Sequence, residues 1–177
     1  LSIDLARRRV SMRPSGSDVF EGSPAFATPS RLTREGVQAE IGRFGQLILP
    51  NGRAGGVTLS AFVDTGAQYS IGNLALLRAV SAGQAEQPGQ DIEVYGVTGQ
   101  VLTAREREVR GLEIAGRDLG PTPLLFADLH AFSVLDLIEA PALLIGADIL
   151  YRFRRVELDY GRRRMTLSGL RPPARTR

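Results

Sequence analysis

The feature that most constrains this chain is an aspartate placed between two apolar segments. Residues 57–63 form an apolar run that leads directly into Asp64, Thr65 and Gly66, and a second apolar step follows at residues 69–71. A carboxylate between two hydrophobic strands is costly unless hydrogen bonds or a chemical role hold it there. The Thr65 hydroxyl and the backbone amides that can approach at Gly66 are donors of the required kind. We therefore expect Asp64 to be half of a catalytic carboxylate pair.

The composition is that of a globular domain and excludes several classes of protein. Of the 177 residues, 43% are hydrophobic and 23% are charged, which suits one domain with a core of its own. No apolar run approaches the ~20 residues of a membrane helix, so we expect no membrane span. Cysteine is absent, which excludes disulfides, thiol catalysis and cysteine-ligated metals. His130 is the single histidine and has no ligand cluster, so we expect neither a metal nor a cofactor.

The charge of the chain gives little reason to expect a nucleic-acid partner. All 22 basic residues are arginine, and the net charge of +3 would attract acidic partners only weakly. The arginines lie mostly in strand-like segments, without a recognition helix or an aromatic stacking motif. The alternative, a small β-barrel that binds nucleic acid through its arginines, predicts a steep salt dependence of binding that we do not expect.

Short alternating segments and glycine-rich turns predict an all-β domain over residues 37–168. A hairpin turn is expected at Asn51 and Gly52, and a short helix is expected at residues 74–80 behind an Asn73 cap. Many short strands with one or two short helices indicate a closed β-barrel. Strands are predicted at residues 37–41, 47–49, 57–63, 91–97, 100–109, 112–114 and 122–126, with a closing strand or hairpin at 156–167.

The segments that flank this domain differ from it in composition. Residues 13–36 are rich in Pro, Gly and Ser and have no sustained period, so they predict a linker. Residues 169–177 predict a flexible tail. Residues 1–12 alternate well enough to form a strand, and the start at Leu1 rather than at a methionine predicts a processed or trimmed chain.

The two ends of the chain resemble each other in sequence. Residues 1–12 align without gaps on residues 156–167, with Asp4 matching Asp159 and the three following arginines identical. Chance is the alternative in a chain so rich in arginine, because the match is short. We interpret residues 1–12 as the last strand of a preceding copy of the domain, with residues 13–36 as the linker between the copies.

Three features, in this order along the chain, resemble the retropepsin-like aspartic proteases of the bacterial type. Residues 62–67 look like the active-site loop of that family. About 80 residues later, residues 144–146 resemble its second motif, two hydrophobic residues and a glycine before a short helix. The hairpin at residues 96–99 lies where the family has its flap. The combination covers residues 37–167 and is more specific than Asp-Thr-Gly alone.

The resemblance implies a closed β-barrel of the retropepsin-like acid protease type and the hydrolysis of peptide bonds. In that mechanism a water is activated between two aspartates, which share one proton and so provide a base and an acid. This chain has one such motif, so the counterpart of Asp64 must come from a homodimer or a tandem domain. The resemblance gives Thr65 the role of tying the two loops together, and Gly66 that of allowing close approach to the substrate.

The resemblance also implies a protein or peptide substrate, bound in extended form between the flap and the floor of the site. Ala67 stands where two-lobed pepsins usually have a serine. The missing hydroxyl donor predicts a working pH nearer neutrality. Asp148 is expected to have a structural role at the start of a helix. The predicted substrate-binding residues are Ala67, Tyr95, Gly96, Val97, Thr98, Gly99, Leu144, Ile145 and Gly146.

The principal alternative is a catalytically silent retropepsin-fold domain that serves binding or dimerisation, since a fold does not guarantee a function. The intact loop at residues 64–66 favours the enzyme. The absence of lysine and cysteine, together with the repeat at residues 1–12, fits a bacterial envelope protein. We therefore expect a periplasmic or secreted location.

Overall fold

The computed structural model describes residues 1–14, 37–42, 45–82, 89–96 and 99–171. In these ranges the chain is mostly β-sheet with three short helices, one helix more than the sequence predicts. The predicted linker from residue 15 to 36, the flap residues Val97 and Thr98 and the tail from residue 172 lie outside them. The helices are α1 (Leu74–Ser81), α2 (His130–Val134) and α3 (Ala147–Leu150).

The strands follow one another closely along the chain. They are β1 (Ser2–Asp4), β2 (Arg9–Ser11), β3 (Val37–Gln38), β4 (Glu40–Ile41), β5 (Leu47–Ala54), β6 (Val57–Val63), β7 (Ile71–Gly72), β8 (Gln90–Tyr95), β9 (Val101–Val109), β10 (Glu113–Ile114), β11 (Arg117–Asp118), β12 (Thr122–Phe126), β13 (Ala142–Ile145), β14 (Arg155–Asp159) and β15 (Arg164–Ser168).

The strands form two sheets. The larger has the order β11-β10-β5-β6-β13-β7-β12-β9-β8, with β4 also paired to β5. The smaller has the order β2-β1-β14-β15-β3. The outer strands β11 and β8 do not pair with each other in the part of the chain that the structure describes. The mostly-β fold is therefore confirmed, whereas closure of the sheet into a barrel stays a prediction.

Strand β13 determines where the Asp64 loop lies. It runs parallel to β6, with Ile145 opposite Val63, and antiparallel to β7. Although β6 and β7 are consecutive in the chain, β13 separates them in the sheet. All four residues of β13 are buried, as expected for a strand covered on both faces. The loop at residues 64–70 must therefore cross the end of β13, where Gly146 follows.

The core lies on both faces of β6. Leu59 and Ala61 belong to the main hydrophobic cluster, whereas Phe62 belongs to a second cluster with Phe132 and Leu144. The Phe62 and Phe132 rings pack edge to face, with centroids 5.8 Å apart. Each such buried side chain contributes roughly 1.5–3 kcal/mol. The strand that carries Asp64 is thereby fixed from two sides.

The predicted Asn73 cap is present. Its Oδ1 accepts a hydrogen bond from Leu76 N at 2.8 Å and so caps α1. Its Nδ2 donates to the carbonyl oxygens of Leu137 and Ala140, both at 2.7 Å. Asn73 is completely buried, and it therefore holds both the helix and the segment that leads into β13.

Residues 1–12 form a hairpin of β1 and β2 where the sequence predicts a single strand. Asp4 causes the difference, because its Oδ1 accepts a hydrogen bond from Arg7 N at 2.9 Å and closes a turn over residues 5–8. The hairpin pairs with β14 through β1. The predicted closing segment at residues 156–167 is likewise a hairpin, formed by β14 and β15.

Candidate active site

The Asp64 loop begins where β6 ends beside β13. Asp64 N donates to the carbonyl oxygen of Ile145 at 3.0 Å and extends the parallel pairing by one residue. The carboxylate Oδ1 accepts a hydrogen bond from Gly66 N at 2.8 Å. Asp64, Thr65 and Gly66 are all exposed. The loop therefore presents its carboxylate to solvent from a rigid strand end.

Gly66 keeps the approach to this carboxylate open. A Cβ atom at residue 66 would lie 3.2 Å from Asp64 Oδ1, which is tighter than almost all contacts of real Cβ atoms. Any side chain here would press on the oxygen that the Gly66 amide holds. A side chain at this position would therefore require the Asp64 carboxylate to shift by a few tenths of an ångström.

The predicted second motif lies directly against the Asp64 loop. A Cβ atom at Gly146 would lie 2.5 Å from the carbonyl carbon and oxygen of Tyr69, so a larger residue would collide with backbone. Just after the glycine, Ala147 N donates to Ala67 O at 2.8 Å and Asp148 N donates to Gln68 O at 3.2 Å. The start of α3 thus holds the middle of the loop.

A buried serine and an aspartate fix the far end of the loop. Ser70 N and Ser70 Oγ donate to the two carboxylate oxygens of Asp148 at 2.9 and 2.5 Å. Gly146 N donates to Ser70 Oγ at 2.9 Å. The expectation of a structural role for Asp148 agrees with these bonds. Ser70 was not singled out from the sequence, and its one signal there is a small polar residue inside the apolar step from Tyr69 to Ile71.

The predicted site residues around Asp64 differ in exposure. Leu144 and Ile145 are 3% and 0% exposed, so they form the floor beneath the loop. Ala67 is half-buried against the cluster of Phe62 and Leu144. The predicted contact of these residues with substrate stays a prediction.

The predicted flap is the hairpin of β8 and β9. At its tip Gly96 N donates to Gln100 O at 2.8 Å, and Gly99 has a φ of +80°, which favours glycine. The Tyr95 side chain is 71% exposed and donates to Glu93 Oε2 at 3.0 Å. Among the described residues, the side-chain and backbone bonds of the tip stay within the hairpin.

The part of this hairpin next to its tip packs beside the strand that follows the Asp64 loop. Val94 and Leu102 pack against a cluster that includes Ile71 and Leu125. Ile71 begins β7, the strand that follows the Asp64 loop. The structure therefore brings the loop at residues 64–70 and the motif at residues 144–146 into contact, and Val94 and Leu102 pack the predicted flap against the strand that follows that loop.

In the ranges that the structure describes, no group of three or more His, Cys, Asp or Glu side chains is arranged to hold a metal ion. Within the same ranges, no helix is long and apolar enough to cross a membrane.

Comparison with known proteins gives matches among solved structures only. No family model and no curated protein matches the chain. The chain is similar to a retropepsin-like aspartic protease from Rickettsia conorii, with a TM-score of 0.49 and 18% identity over 70% of this chain and 84% of that one. It is also similar to EIAV protease complexed with the inhibitor HBY-793, with a TM-score of 0.41 and 21% identity over 59% of this chain and 83% of that one. These structural neighbours are retropepsin-like aspartic proteases, the family that the sequence motifs resemble.

Proposed function

We propose that this domain supplies one of the two aspartates of an aspartic endopeptidase. The observation that carries the proposal is the geometry of Asp64 at the end of β6. One carboxylate oxygen accepts a hydrogen bond from Gly66 N at 2.8 Å, and the residue is exposed. A carboxylate that is held by one backbone hydrogen bond and is exposed to solvent can share a proton with a second carboxylate.

The chemistry requires that second carboxylate. In a pair that shares one proton, the ionised member takes a proton from water while the water oxygen attacks the carbonyl carbon of the peptide bond. The protonated member supplies the proton that the product side needs when the C–N bond breaks. The chain holds one Asp-Thr-Gly sequence, so the counterpart of Asp64 belongs to a partner domain. Thr65 is exposed beside Asp64 and is available to a loop of that domain.

The support of the loop favours catalysis over simple binding. Proton transfer between two carboxylates and a water tolerates little displacement, so the reacting groups must be held firmly. The start of α3, with Gly146 and the bonds between Ser70 and Asp148, holds the loop along residues 67–70. A surface used only for binding does not need a carboxylate held in this way. The catalytically silent domain is the outcome that the experiment below would identify.

The substrate class follows from the hairpin of β8 and β9. An extended peptide between this hairpin and the Asp64 loop would pair by main-chain hydrogen bonds, which make few demands on its sequence. Closure of this hairpin over the peptide would exclude water from the reacting groups. We therefore propose proteins or peptides in extended conformation as substrates, and Tyr95, whose side chain is exposed on this hairpin, as a residue that contacts them.

The test is Asp64→Asn in the protein as it is produced from its own gene. Because the residue acts as acid or base, cleavage of an unfolded protein substrate should fall by roughly 10²–10⁴-fold. The matched control is Asp118→Asn. Asp118 forms the same local turn, with Gly120 N donating to its Oδ1 at 2.8 Å, so this variant should cleave as the wild type does. Equal cleavage by Asp64→Asn and wild type would refute the proposal, and a wild type without cleavage at any pH would identify a silent domain.

A further inference from the structure

The first and last hairpins of the chain share a structure as well as a sequence. In the first, Asp4 accepts from Arg7 N at 2.9 Å and pairs with the Arg7 guanidinium at 3.2 Å. In the last, Asp159 accepts from Arg162 N at 3.0 Å and pairs with the Arg162 guanidinium at 3.4 Å. The next arginine in each turn is left-handed, with a φ of 53° in the first hairpin and 51° in the last. The hairpins are therefore two copies of one unit.

The two copies pair symmetrically. Strand β1 is antiparallel to β14 with Ser2 opposite Glu157, and the gapless alignment makes Glu157 the counterpart of Ser2. On one side of this pair Ile3 lies opposite Val156. On the other side, the backbones of Leu1 and Leu158 exchange two hydrogen bonds of 2.9 and 2.8 Å. Leu1 corresponds to Val156 and Ile3 to Leu158, so the pair on one side is the counterpart of the pair on the other. A local two-fold axis therefore passes through the Ser2–Glu157 pair.

The two copies differ in what covers them. Met165 and Leu167, in β15, are 0% and 1% exposed in the core of this domain. Their counterparts in the first hairpin, Val10 and Met12, are 64% and 82% exposed. Strand β15 is also paired on its outer side by β3, whereas β2 is the edge of its sheet among the described residues. The first hairpin thus presents to solvent an apolar face and a sheet edge that need a second core.

We propose that residues 1–12 are the terminal hairpin of a second copy of this fold that precedes this domain in the same polypeptide, and that this copy supplies the counterpart of Asp64. The proposal rests on the proposed function. The axis through Ser2 and Glu157 relates the two copies and therefore also relates Asp64 to its counterpart. A homodimer built on the same axis would need the edge of β14, and β1 already occupies that edge. The core of the preceding copy covers the apolar face at Val10 and Met12.

Disulfide trapping tests the pairing, because the chain has no cysteine of its own. Leu1 and Leu158 exchange both hydrogen bonds, so the neighbouring Ser2–Glu157 pair is a non-hydrogen-bonded pair with Cα atoms ~4.5 Å apart. That separation permits a disulfide. Under mild oxidation Ser2→Cys/Glu157→Cys should form an intrachain disulfide at micromolar concentration and stay monomeric on a non-reducing gel. An interchain disulfide in this variant would overturn the proposal.

A second variant tests the axis itself, since a residue on a two-fold axis meets its own copy. Glu157→Cys alone should stay monomeric, because β1 covers the edge of β14. Adding Ile3→Pro removes a ladder hydrogen bond of β1 and should free that edge, so that Glu157→Cys chains become disulfide-linked dimers. The matched control is Val10→Pro. Ile3 forms its backbone hydrogen bonds with β14, so the Val10 N–H that this change removes points away from β1. Dimers in Glu157→Cys with the hairpin intact, or none after Ile3→Pro, would overturn the proposal.

These readouts do not depend on catalysis. If the crosslinks form as expected but Asp64→Asn retains cleavage, the proposed function fails and the two-fold pairing stands. If the crosslinks fail while Asp64→Asn abolishes cleavage, the counterpart of Asp64 comes from another chain and the cis arrangement is refuted.

Discussion

The carboxylate of Asp148 binds both the backbone amide and the hydroxyl of Ser70, at 2.9 and 2.5 Å, although the two residues are 78 positions apart in the chain. The Ser70 hydroxyl in turn accepts a hydrogen bond from Gly146 N. This exchange joins the end of the Asp64 loop to the start of α3. The stability and the geometry of the candidate site therefore depend on one buried side chain that has no direct role in the proposed chemistry.

Ser70→Ala should lower the free energy of unfolding by ~1–3 kcal/mol, because it removes the hydroxyl bond to Asp148 and leaves the buried Gly146 amide without the oxygen that accepts from it. Urea denaturation measures this directly. The control is Ser133→Ala, since Ser133 is exposed and its loss should cost less than ~0.5 kcal/mol. If both substitutions cost the same, the hydroxyl of Ser70 does not hold the loop.

Among substitutions in the site that add a single methyl group, Gly146→Ala should destabilise the fold the most. The new Cβ would lie 2.5 Å from the Tyr69 carbonyl, and backbone cannot move aside as a flexible side chain can. We expect a loss of ~3 kcal/mol or more in thermal or urea unfolding. At Gly96 a Cβ would meet nothing closer than 3.6 Å, so Gly96→Ala is the matched control and should cost ~1 kcal/mol or less. A mild effect at residue 146 would mean that the close approach to Tyr69 is not required.

The sequence predicted the features that depend on neighbouring residues. The Asp64 turn, the Asn73 cap and the β8–β9 hairpin each follow from signals within a few positions, namely an Asp-x-Gly turn, a capping side chain and glycines at a hairpin tip. The bonds between Ser70 and Asp148 could not be predicted, because neither residue has a local signal for its partner. The insertion of β13 between β6 and β7 is long-range for the same reason. The sequence predicts one strand across residues 5–8, where the structure has a turn, because the aspartate that closes this turn, Asp4, is a weak signal on its own.

Acid should weaken the first hairpin. The backbone amide of Arg7 is the largest cause of a lowered pKa for Asp4, and the side chains of Arg155 and Arg7 act in the same direction. A lowered pKa in the folded state means that the ionised carboxylate stabilises the fold above its ordinary pKa and that this contribution is lost as the pH falls through the folded value. The wild type should therefore be more stable than Asp4→Asn at pH 6, and the difference should shrink towards pH 2.

Denaturant midpoints of the two proteins at several pH values measure this difference. The control is Glu139→Gln, an exposed carboxylate whose removal should change stability little at any pH. A gap between wild type and Asp4→Asn that widens on acidification would contradict the assigned role of Asp4.

Ala67→Ser should move the pH–rate profile of cleavage to lower pH. A serine hydroxyl at this position would donate to the ionised carboxylate pair and favour that form, so activity would persist further into acid. The wild type, which lacks this donor, should have its maximum nearer neutrality than the variant. The measurement is kcat/KM against pH for both proteins with one peptide substrate. A wild-type maximum below about pH 3, or a shift of the variant towards neutral pH, would contradict this account of residue 67.

Mixing wild type with Asp64→Asn distinguishes the two sources of the second aspartate by activity. If Asp64 pairs with Asp64 of another chain, equimolar mixed subunits that exchange freely leave about a quarter of the pairs with both aspartates. If the counterpart lies in a preceding copy on the same polypeptide, each wild-type molecule keeps its own pair, and about half of the activity remains.

The two-fold pairing through Ser2 and Glu157 favours the second result. The proteins are unfolded together, refolded and assayed at a concentration well above that needed for assembly, and the mean activity of the two proteins, refolded and assayed separately, serves as the reference. Because the reference retains about half of the activity in either case, a co-refolded sample that equals it supports the tandem arrangement. A co-refolded sample with about half the reference activity would assign the counterpart of Asp64 to a homodimer.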